Sequence, residues 1–266
     1  MINYSEKSAK GSLMVVFHER CLTPYYTSTV ECPARVKTIF TKLQDRFPVV
    51  RPTLAELNDI QRVHSPAMVA RVQAEGNDTY ETALMAVGSA VRASEEAVRK
   101  RCPAFALVRP PGHHAGPEDY RGFCFFNNIA VAIAALIAND LIASALVVDL
   151  DLHYGDGTEN IFLGNPAVRV VNVSANTRSA YLNCLAQALN KAGNFDLLAV
   201  SAGFDTYVHD WGGTLITEDY QAIGNMLRTV AQQACQSRCF AVLEGGYYLP
   251  DLGKNALAFC EGLAGH

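Results

Sequence analysis

Long apolar runs, basic blocks and leader-like segments are absent from the 266-residue sequence. No apolar run approaches the roughly 20 residues that a helix needs to cross a bilayer, and the N-terminal MINYSEKSAKGS lacks a signal peptide's apolar core. The 22 basic and 26 acidic residues give a formal net charge of -4 without any basic cluster. We therefore expect a cytoplasmic protein that binds neither membranes nor nucleic acids.

Cysteine pairs with CxxC spacing are missing as well, and Cys235 and Cys239, four residues apart, make a poor zinc site by themselves. None of the eight cysteines belongs to a CxxC pair, and several stand in apolar stretches such as RGFCFF and ALAFCEG. A zinc site built from thiolates is therefore not indicated, and buried thiols in a reducing compartment are the expected state.

Apolar segments typical of buried strands alternate along the chain with longer helical patterns. The chain is 50% hydrophobic, which suits one large domain over residues 1–266. The strand segments lack clean polar alternation, so the pattern predicts a parallel α/β sheet with helices on both faces. The predicted strands lie in residues 12–17, 104–108, 143–151, 168–174, 196–203 and 239–246. The predicted helices lie in residues 32–47, 80–100, 127–140, 179–193 and 217–236, the last with Thr217 as its N-cap.

Four predicted strands end in glycine-rich turns that carry ionisable or hydroxyl side chains. The turns read RPPGHHAG (109–116), DLDLHYGDG (149–157), SAGFD (201–205) and EGGYY (244–248). The carboxyl ends of parallel strands meet at one edge of a sheet, and ligands of such folds bind at that edge. We therefore expect these four turns to form a single site.

Asp149, Asp151 and His153 alternate along the second of these turns. Alternate side chains of an extended backbone share one face, which makes Asp151 and His153 adjacent metal-ligand candidates, and Asp205 can supply a third. Two carboxylates and one imidazole suit a divalent transition metal, most often zinc, and three protein ligands leave a position open for water or substrate. The DLDLH pattern alone also fits a polar strand end, but the paired histidines of GHHAG rarely serve a core.

Five segments together resemble the histone deacetylase superfamily, which includes bacterial deacetylase-like amidohydrolases and acetylpolyamine amidohydrolases. They are RPPGHHA (109–115), GFCFFNNIAVA (122–132), VVDLDLHYGDGTENIF (147–162), SAGFDTYVHD (201–210) and LEGGYY (243–248), with weaker matches in 31–36 and 63–72. The segments follow the family's order and look closer to class II and bacterial members than to class I. The resemblance implies an arginase–deacetylase α/β fold, with a central, mostly parallel eight-stranded sheet, and hydrolysis of an N-acyl amide at one zinc ion.

The same resemblance implies two cation sites. By position, Asp151, His153 and Asp205 match the zinc ligands. A structural potassium ion is implied at the backbone carbonyls around Asp149, Asp151 and His153, together with Ser174.

The resemblance also implies catalytic roles. His114 matches the general base, and His113 matches a neighbouring histidine that assists electrostatically or as an acid. Asp149 and Asp156 match the carboxylate partners of His113 and His114, respectively. Tyr247 matches the tyrosine whose hydroxyl stabilises the oxyanion.

The predicted substrate channel departs from the family pattern. Phe123, preceded by Gly122, matches one wall of the acyl-lysine tunnel. The family usually carries a long loop with an opposing aromatic between VNVSAN and SAGFD, but here residues 177–193 form little beyond one helix. The stretch RVQAEGNDTYETA (71–83) is also compact. We expect a more open site, unless a partner subunit covers it.

Three functions are compatible with these residues. The first is zinc-dependent hydrolysis of N-acyl, chiefly N-acetyl, amides of lysine side chains or polyamines. The second is an arginase-like dimanganese hydrolase, which RPPGHHA with EGGYY argues against. The third is a catalytically silent metal-binding domain that recognises acylated amines or a protein partner; the presence of His113, His114 and Tyr247 favours the first. The sequence does not choose between a small molecule and a peptide as substrate, and it leaves homo-oligomer formation open.

Overall fold

The computed structural model describes residues 13–266, so the N-terminal MINYSEKSAKGS, predicted not to be a signal peptide, lies outside the described residues. The strands are β1 (Met14–Val16), β2 (Val49–Val50), β3 (Ala104–Ala106), β4 (Ala145–Asp149), β5 (Val168–Asn172), β6 (Leu197–Ala202) and β7 (Cys239–Leu243). The helices are α1 (Pro33–Leu43), α2 (Leu57–Ile60), α3 (Pro66–Ala74), α4 (Asn77–Lys100), α5 (Asn128–Ala138), α6 (Asp156–Phe162), α7 (Arg178–Asn190), α8 (Thr217–Cys235) and α9 (Leu249–Ala264). A 3-10 helix covers Glu19–Leu22.

The seven strands form one sheet in the order β2-β1-β3-β7-β6-β4-β5. Every pair of neighbouring strands is parallel. All residues of β4, β6 and β7 are buried, which requires cover on both faces of the sheet. The predicted α/β class is confirmed. The described residues contribute seven strands to the sheet, where the resemblance implies eight.

The helices pack in two groups against this sheet. Helix α4 packs against α5 and against β1, β3 and β7, whereas α9 packs against α1 and α8. These contacts bury the apolar faces that the helical periodicity of the sequence indicates. Among residues 13–266, no helix combines the length and the apolar character that crossing a membrane requires.

The predicted elements are present, and most of the additional ones are short. All six predicted strands and all five predicted helices occur, with ends that differ from the predicted ends by a few residues. The elements not predicted are β2, the 3-10 helix, α2, α3, α6 and α9. Strand β2 has two residues, and α2 has four, so neither is long enough to show a periodic pattern.

The predicted N-cap of α8 is wrong by one residue. The helix begins at Thr217, and Ile216 occupies the N-cap position. The Asp219 carboxylate accepts a hydrogen bond from the Ile216 backbone N–H at 3.0 Å. The Thr217 hydroxyl is instead 2.7 Å from Oδ1 of Asn255, so a contact with α9 replaces the cap that the local sequence suggests.

Candidate active site

The four glycine-rich turns lie together at the carboxyl edge of the sheet. They follow β3, β7, β6 and β4, which are consecutive neighbours in the strand order. Because these strands are parallel, their carboxyl ends point the same way and bring the turns into contact. The predicted metal ligands and the predicted histidine pair therefore share one site.

Asp151, His153 and Asp205 form a compact cluster of potential metal ligands. Their ligand atoms lie within 4.8 Å of one another, with Nδ1 of His153 3.1 Å from Oδ1 of Asp151 and 3.0 Å from Oδ2 of Asp205. Both carboxylates are buried, whereas the His153 side chain is 42% exposed. Backbone N–H groups fix the carboxylates, since Gly245 donates to Asp151 at 2.8 Å and Leu152 donates to Asp205 at 3.0 Å.

This cluster fits a divalent cation. Oδ2 of Asp205 is buried and makes no hydrogen bond of acceptable geometry within residues 13–266. A Cβ at Gly245 would stand 2.7 Å from both that oxygen and Oδ2 of Asp151, so only glycine leaves the space free. Burial and the charge of Asp151 raise the pKa of Asp205 to about 7. Adjacent buried carboxylates are unfavourable unless positive charge compensates them, and their oxygens with an imidazole nitrogen match zinc.

His113 and His114 lie side by side, with ring centroids 4.1 Å apart. Nδ1 of His113 is 3.0 Å from Oδ2 of Asp149, and Nδ1 of His114 is 2.7 Å from Oδ1 of Asp156. Burial disfavours charge on His113, but the carboxylates of Asp151 and Asp149 raise its pKa well above the usual value. Burial and the neighbouring His113 lower the pKa of His114 to about 4. The pair therefore favours a proton on His113 and leaves His114 as a neutral base.

Glu244, for which no role is predicted from the sequence, fixes the histidine turn. Its buried carboxylate accepts hydrogen bonds from the backbone N–H groups of Gly112 at 2.6 Å and His113 at 3.1 Å. Burial raises the pKa of Glu244 to about 7, while His113 opposes that shift. A carboxylic residue directly at the end of β7, inside the LEGGYY segment, is the sequence signal that points to it.

Arg121 and Gly122 support His114 from a neighbouring loop. Nε and Nη2 of Arg121 donate to Oδ2 of Asp156 at 3.0 and 2.6 Å, so this carboxylate is shared between the arginine and His114. Gly122 has a φ of 59°, and a Cβ there would stand 2.5 Å from Cδ2 of His114. Glycine is therefore needed at this position for the loop to approach the ring. The role of Gly122 in binding substrate stays a prediction.

Tyr247 lies among three aromatic or cationic neighbours. Its ring stacks on Trp211 with centroids 4.2 Å apart, approaches Phe123 at 6.1 Å and has the Arg35 guanidinium 4.7 Å from its centroid. Its backbone N–H donates to Oδ2 of Asp210 at 2.6 Å. Burial raises the pKa of Tyr247, so the phenol stays protonated and can donate a hydrogen bond.

The potassium site implied for Ser174 stays a prediction. Ser174 follows β5, whose last residue Asn172 pairs with Asp149 at the end of β4, so it lies at the same sheet edge. The residue is exposed.

A second cluster of potential ligands lies deeper, formed by His113, Cys124 and Glu244. All three residues are buried, and Nδ1 of His113 is already bonded to Asp149. Burial raises the pKa of Cys124 well above its ordinary value, so its thiol stays protonated. Since metals bind the thiolate, this cluster is a weaker metal site than the one at Asp151.

Comparison with known structures places the fold in one class. The chain resembles the crystal structure of the HDA15 HD domain with a TM-score of 0.83 and 26% sequence identity. The match covers 96% of this chain and 90% of that one. The sheet and its surrounding helices are therefore those of the α/β arginase–deacetylase fold.

Sequence comparison identifies the family. A profile of the histone deacetylase domain matches residues 29–181 and 173–263, and the chain belongs to that family. It is 29% identical to a probable deacetylase of Methanothermobacter thermautotrophicus, over 95% of this chain and 91% of that protein. It is 30% identical to the acetylpolyamine amidohydrolase of Mycoplana ramosa, over 82% of this chain and 73% of that protein. Two relatives from Arabidopsis thaliana are longer, and the chain spans less than half of their length.

Proposed function

We propose that this chain is a zinc-dependent hydrolase that removes acyl groups, chiefly acetyl groups, from the amines of lysine side chains or polyamines. The observation that carries the proposal is the convergence of a three-ligand cluster with two carboxylate-bound histidines at one sheet edge. The acetylpolyamine amidohydrolase and deacetylase relatives support the reaction class. Residues 1–266 then act as a single catalytic domain.

Asp151, His153 and Asp205 would hold the zinc ion, His153 through Nδ1. When bound there, zinc acidifies a water molecule and polarises the amide carbonyl of the substrate. The negative charge of the two buried carboxylates would then be compensated.

The histidine pair divides the proton transfers between its members. His114 is neutral because burial and His113 lower its pKa, so it can accept a proton from the attacking water. Asp156 engages Nδ1 of His114 and leaves Nε2 for that task. His113, whose Nδ1 is bound to the carboxylate of Asp149, is suited to protonate the leaving amine or to stabilise charge near it.

Tyr247 and Phe123 complete the proposed machinery. The Tyr247 phenol donates a hydrogen bond to the oxyanion that develops on the carbonyl oxygen, and burial keeps that phenol protonated. Phe123, which contacts the Tyr247 ring, forms a wall for the substrate chain. The exposure of the His153 side chain supports an open site. A potassium ion near Ser174, a cytoplasmic location and formation of homo-oligomers belong to the same proposal.

A substrate panel tests this function. The zinc-loaded protein is assayed with acetyl-lysine peptides, longer acyl-lysine peptides, acetylputrescine and acetylspermidine, before and after removal of metal with a chelator. We expect turnover that disappears with the metal and returns with zinc. Turnover of none of these amides by a fully loaded protein would instead favour the silent metal-binding domain.

A further inference from the structure

Strand β5 forms one edge of the sheet, next to β4. The strand at the other edge, β2, has two residues, whereas β5 has five. All residues of the five strands between them are buried, but Val170, Val171 and Asn172 of β5 are each partly exposed. An open edge of this length presents a row of backbone donors and acceptors with which another strand can pair.

The pairing with β4 determines which backbone groups of β5 face outward. The N–H of Val173, directly after the strand, donates to the carbonyl of Asp149 at 2.9 Å. Alternate residues of a parallel strand bond to a given neighbour, so the odd-numbered residues of β5 bond to β4. The N–H and C=O groups of Val170 and Asn172 therefore face away from the sheet. No hydrogen bond within residues 13–266 engages these four groups.

The usual protection of an edge strand is missing from β5. Proteins commonly block such edges with proline, bulges or charged side chains. The strand contains no proline, and its pairing with β4 runs in unbroken register from Val168 to Asn172. Its one charged residue is Arg169, whose guanidinium donates to the backbone carbonyls of Lys191 and Ala192 behind α7. The charge is thereby drawn toward α7 and leaves the edge open.

This edge is held in place at both of its ends. The N–H of Val168 donates to the carbonyl of Asn165 at 3.3 Å, and Oδ1 of Asn172 accepts from the N–H of Gly155 at 2.8 Å. A second strand therefore meets a preformed partner, which lowers the entropic cost of association. Leu163, in the turn that leads from α6 into β5, is 78% exposed and adds apolar surface at the start of the edge.

We propose that β5 pairs with β5 of a second copy of this chain in antiparallel orientation, so that two sheets join into one across a twofold axis. With Val171 opposite its counterpart on the axis, Val170 stands opposite Asn172 of the second copy. Each of these two pairs exchanges two N–H···O bonds. All four free backbone groups of each copy then have partners.

A second copy fits this edge better than a strand of unrelated sequence. The free groups of Val170 and Asn172 are spaced evenly about Val171, so their pattern is complementary to itself. The same register sets Arg169 opposite Val173 of the second copy, which keeps the two arginines from facing each other. Like charges placed directly opposite would destabilise the pair.

The twofold arrangement leaves both active sites open. Each candidate site lies at the carboxyl edge of its own sheet, and the carboxyl ends of two antiparallel strands point in opposite directions. The two sites therefore open on opposite sides of the joined sheet, and neither copy covers the site of the other. The pairing goes beyond the proposed deacylase function and does not depend on it.

Sedimentation velocity over the micromolar concentration range tests the pairing on the full chain. We expect the wild type to form a species of twice the chain mass of 28.9 kDa. Val170→Pro removes one outward donor from each copy and spares the pairing with β4, because the N–H of Val170 faces away from it. The loss of two bonds per dimer should weaken association about 30-fold or more. Val170→Thr is the matched control, because it keeps both the N–H and the side-chain shape, and it should dimerise as the wild type does.

Disulfide formation tests the register without a destabilising substitution. Residues that face each other on the axis have Cα atoms roughly 4.5 Å apart, within the range that a disulfide spans. The two copies of Val170 are diagonal neighbours at roughly 7–8 Å, which is too far. In oxidised glutathione, Val171→Cys should form disulfide-linked dimers. Val170→Cys and the wild type, with its eight native cysteines, should not.

The outcomes separate this proposal from the proposed function. A wild type that stays monomeric at every concentration, or a dimer that Val170→Pro leaves at full strength, would overturn pairing through β5. Crosslinking of Val170→Cys but not of Val171→Cys would overturn the register. Deacetylase activity per chain should be equal in wild type and Val170→Pro, and activity confined to the dimer would contradict sites that open on opposite sides. A dimer without activity on any acylated amine would instead count against the deacylase function and leave the pairing standing.

Discussion

The inner and outer halves of the active site differ in how their side chains are held. In the inner half, buried carboxylates accept hydrogen bonds from backbone N–H groups of their own turn or of neighbouring turns. In the outer half, backbone N–H groups also donate to carboxylates, but ring stacking and a partly exposed ion pair add to the contacts that hold the side chains. The inner half comprises His113, Asp149, Asp151, Asp205 and Glu244, and the outer half comprises Phe123, Asp156, His153, Trp211 and Tyr247. Charged groups are therefore fixed where water is excluded, and aromatic rings line the side that faces solvent.

The largest effect is expected for a ligand of the inner half. Asp205→Asn keeps the oxygen that accepts from Leu152 but removes the charge that zinc requires. Changing an outer-shell partner typically costs roughly 10- to 100-fold in affinity or activity, and a direct ligand should cost more. Zinc content after dialysis and kcat/KM for an acetylated amine measure the effect.

A matched control for that variant lies at the opposite edge of the sheet. Asp196 accepts hydrogen bonds from the backbone N–H groups of Ala143 and Ser144, each at 2.9 Å. Asp196→Asn should retain zinc and activity. Retention of one zinc per chain by Asp205→Asn would show that the inner half is not the metal site.

The hydroxyl of Tyr247 gives the next largest effect, and it belongs to the outer half. Tyr247→Phe keeps the stacking on Trp211 and removes only the hydroxyl that we propose as the oxyanion donor. We expect kcat to fall on the order of 100-fold or more, with little change in KM or zinc content. A loss confined to KM would mean that Tyr247 positions the substrate instead of stabilising the transition state.

Glu244 tests how strongly burial shapes the inner half. Burial raises the folded-state pKa of Glu244 to about 7, above its unfolded value of 4.5. The resulting penalty on folding is absent below about pH 4.5, grows as the pH rises and is complete above about pH 7. Chemical denaturation of the metal-free proteins should therefore show Glu244→Gln gaining stability relative to the wild type between pH 5 and pH 8. A difference that does not change with pH would contradict this electrostatic account of the inner half.

The smallest effect is expected at the exposed ion pair of the outer half. Besides burial and His113, the charge of Arg121 lowers the pKa of His114. Arg121→Gln should therefore raise the pKa of His114, so that His114 becomes protonated at a higher pH than in the wild type. The acid limb of the kcat/KM profile should move upward by less than about 0.5 pH unit and should lose that shift in high salt.

An equally exposed arginine controls for the loss of a surface charge. The side chain of Arg46 is 59% exposed, against 60% for Arg121, and it pairs with Glu261. Arg46→Gln should leave the profile in place. A downward shift in Arg121→Gln would contradict the assignment of His114 as the base.

Residues at strand ends could be predicted from the sequence as parts of the site, whereas residues in loops could not. Asp151, His153 and Asp205 stand at strand ends, where buried runs meet polar groups, so their meeting at one edge follows from a parallel sheet. Trp211 and Arg121 lie in loops without periodicity, and their partners come from other turns of the chain. Glu244 binds the histidine turn across 131 residues, a contact that only the assembled fold creates.

X-ray absorption at the zinc edge, on protein loaded with one equivalent of zinc, identifies the atoms that bind the ion. A site at Asp151, His153 and Asp205 requires oxygen and nitrogen neighbours at roughly 2.0–2.2 Å, including one imidazole. A sulfur neighbour at about 2.3 Å would place the ion at the deeper cluster with Cys124 and would contradict it.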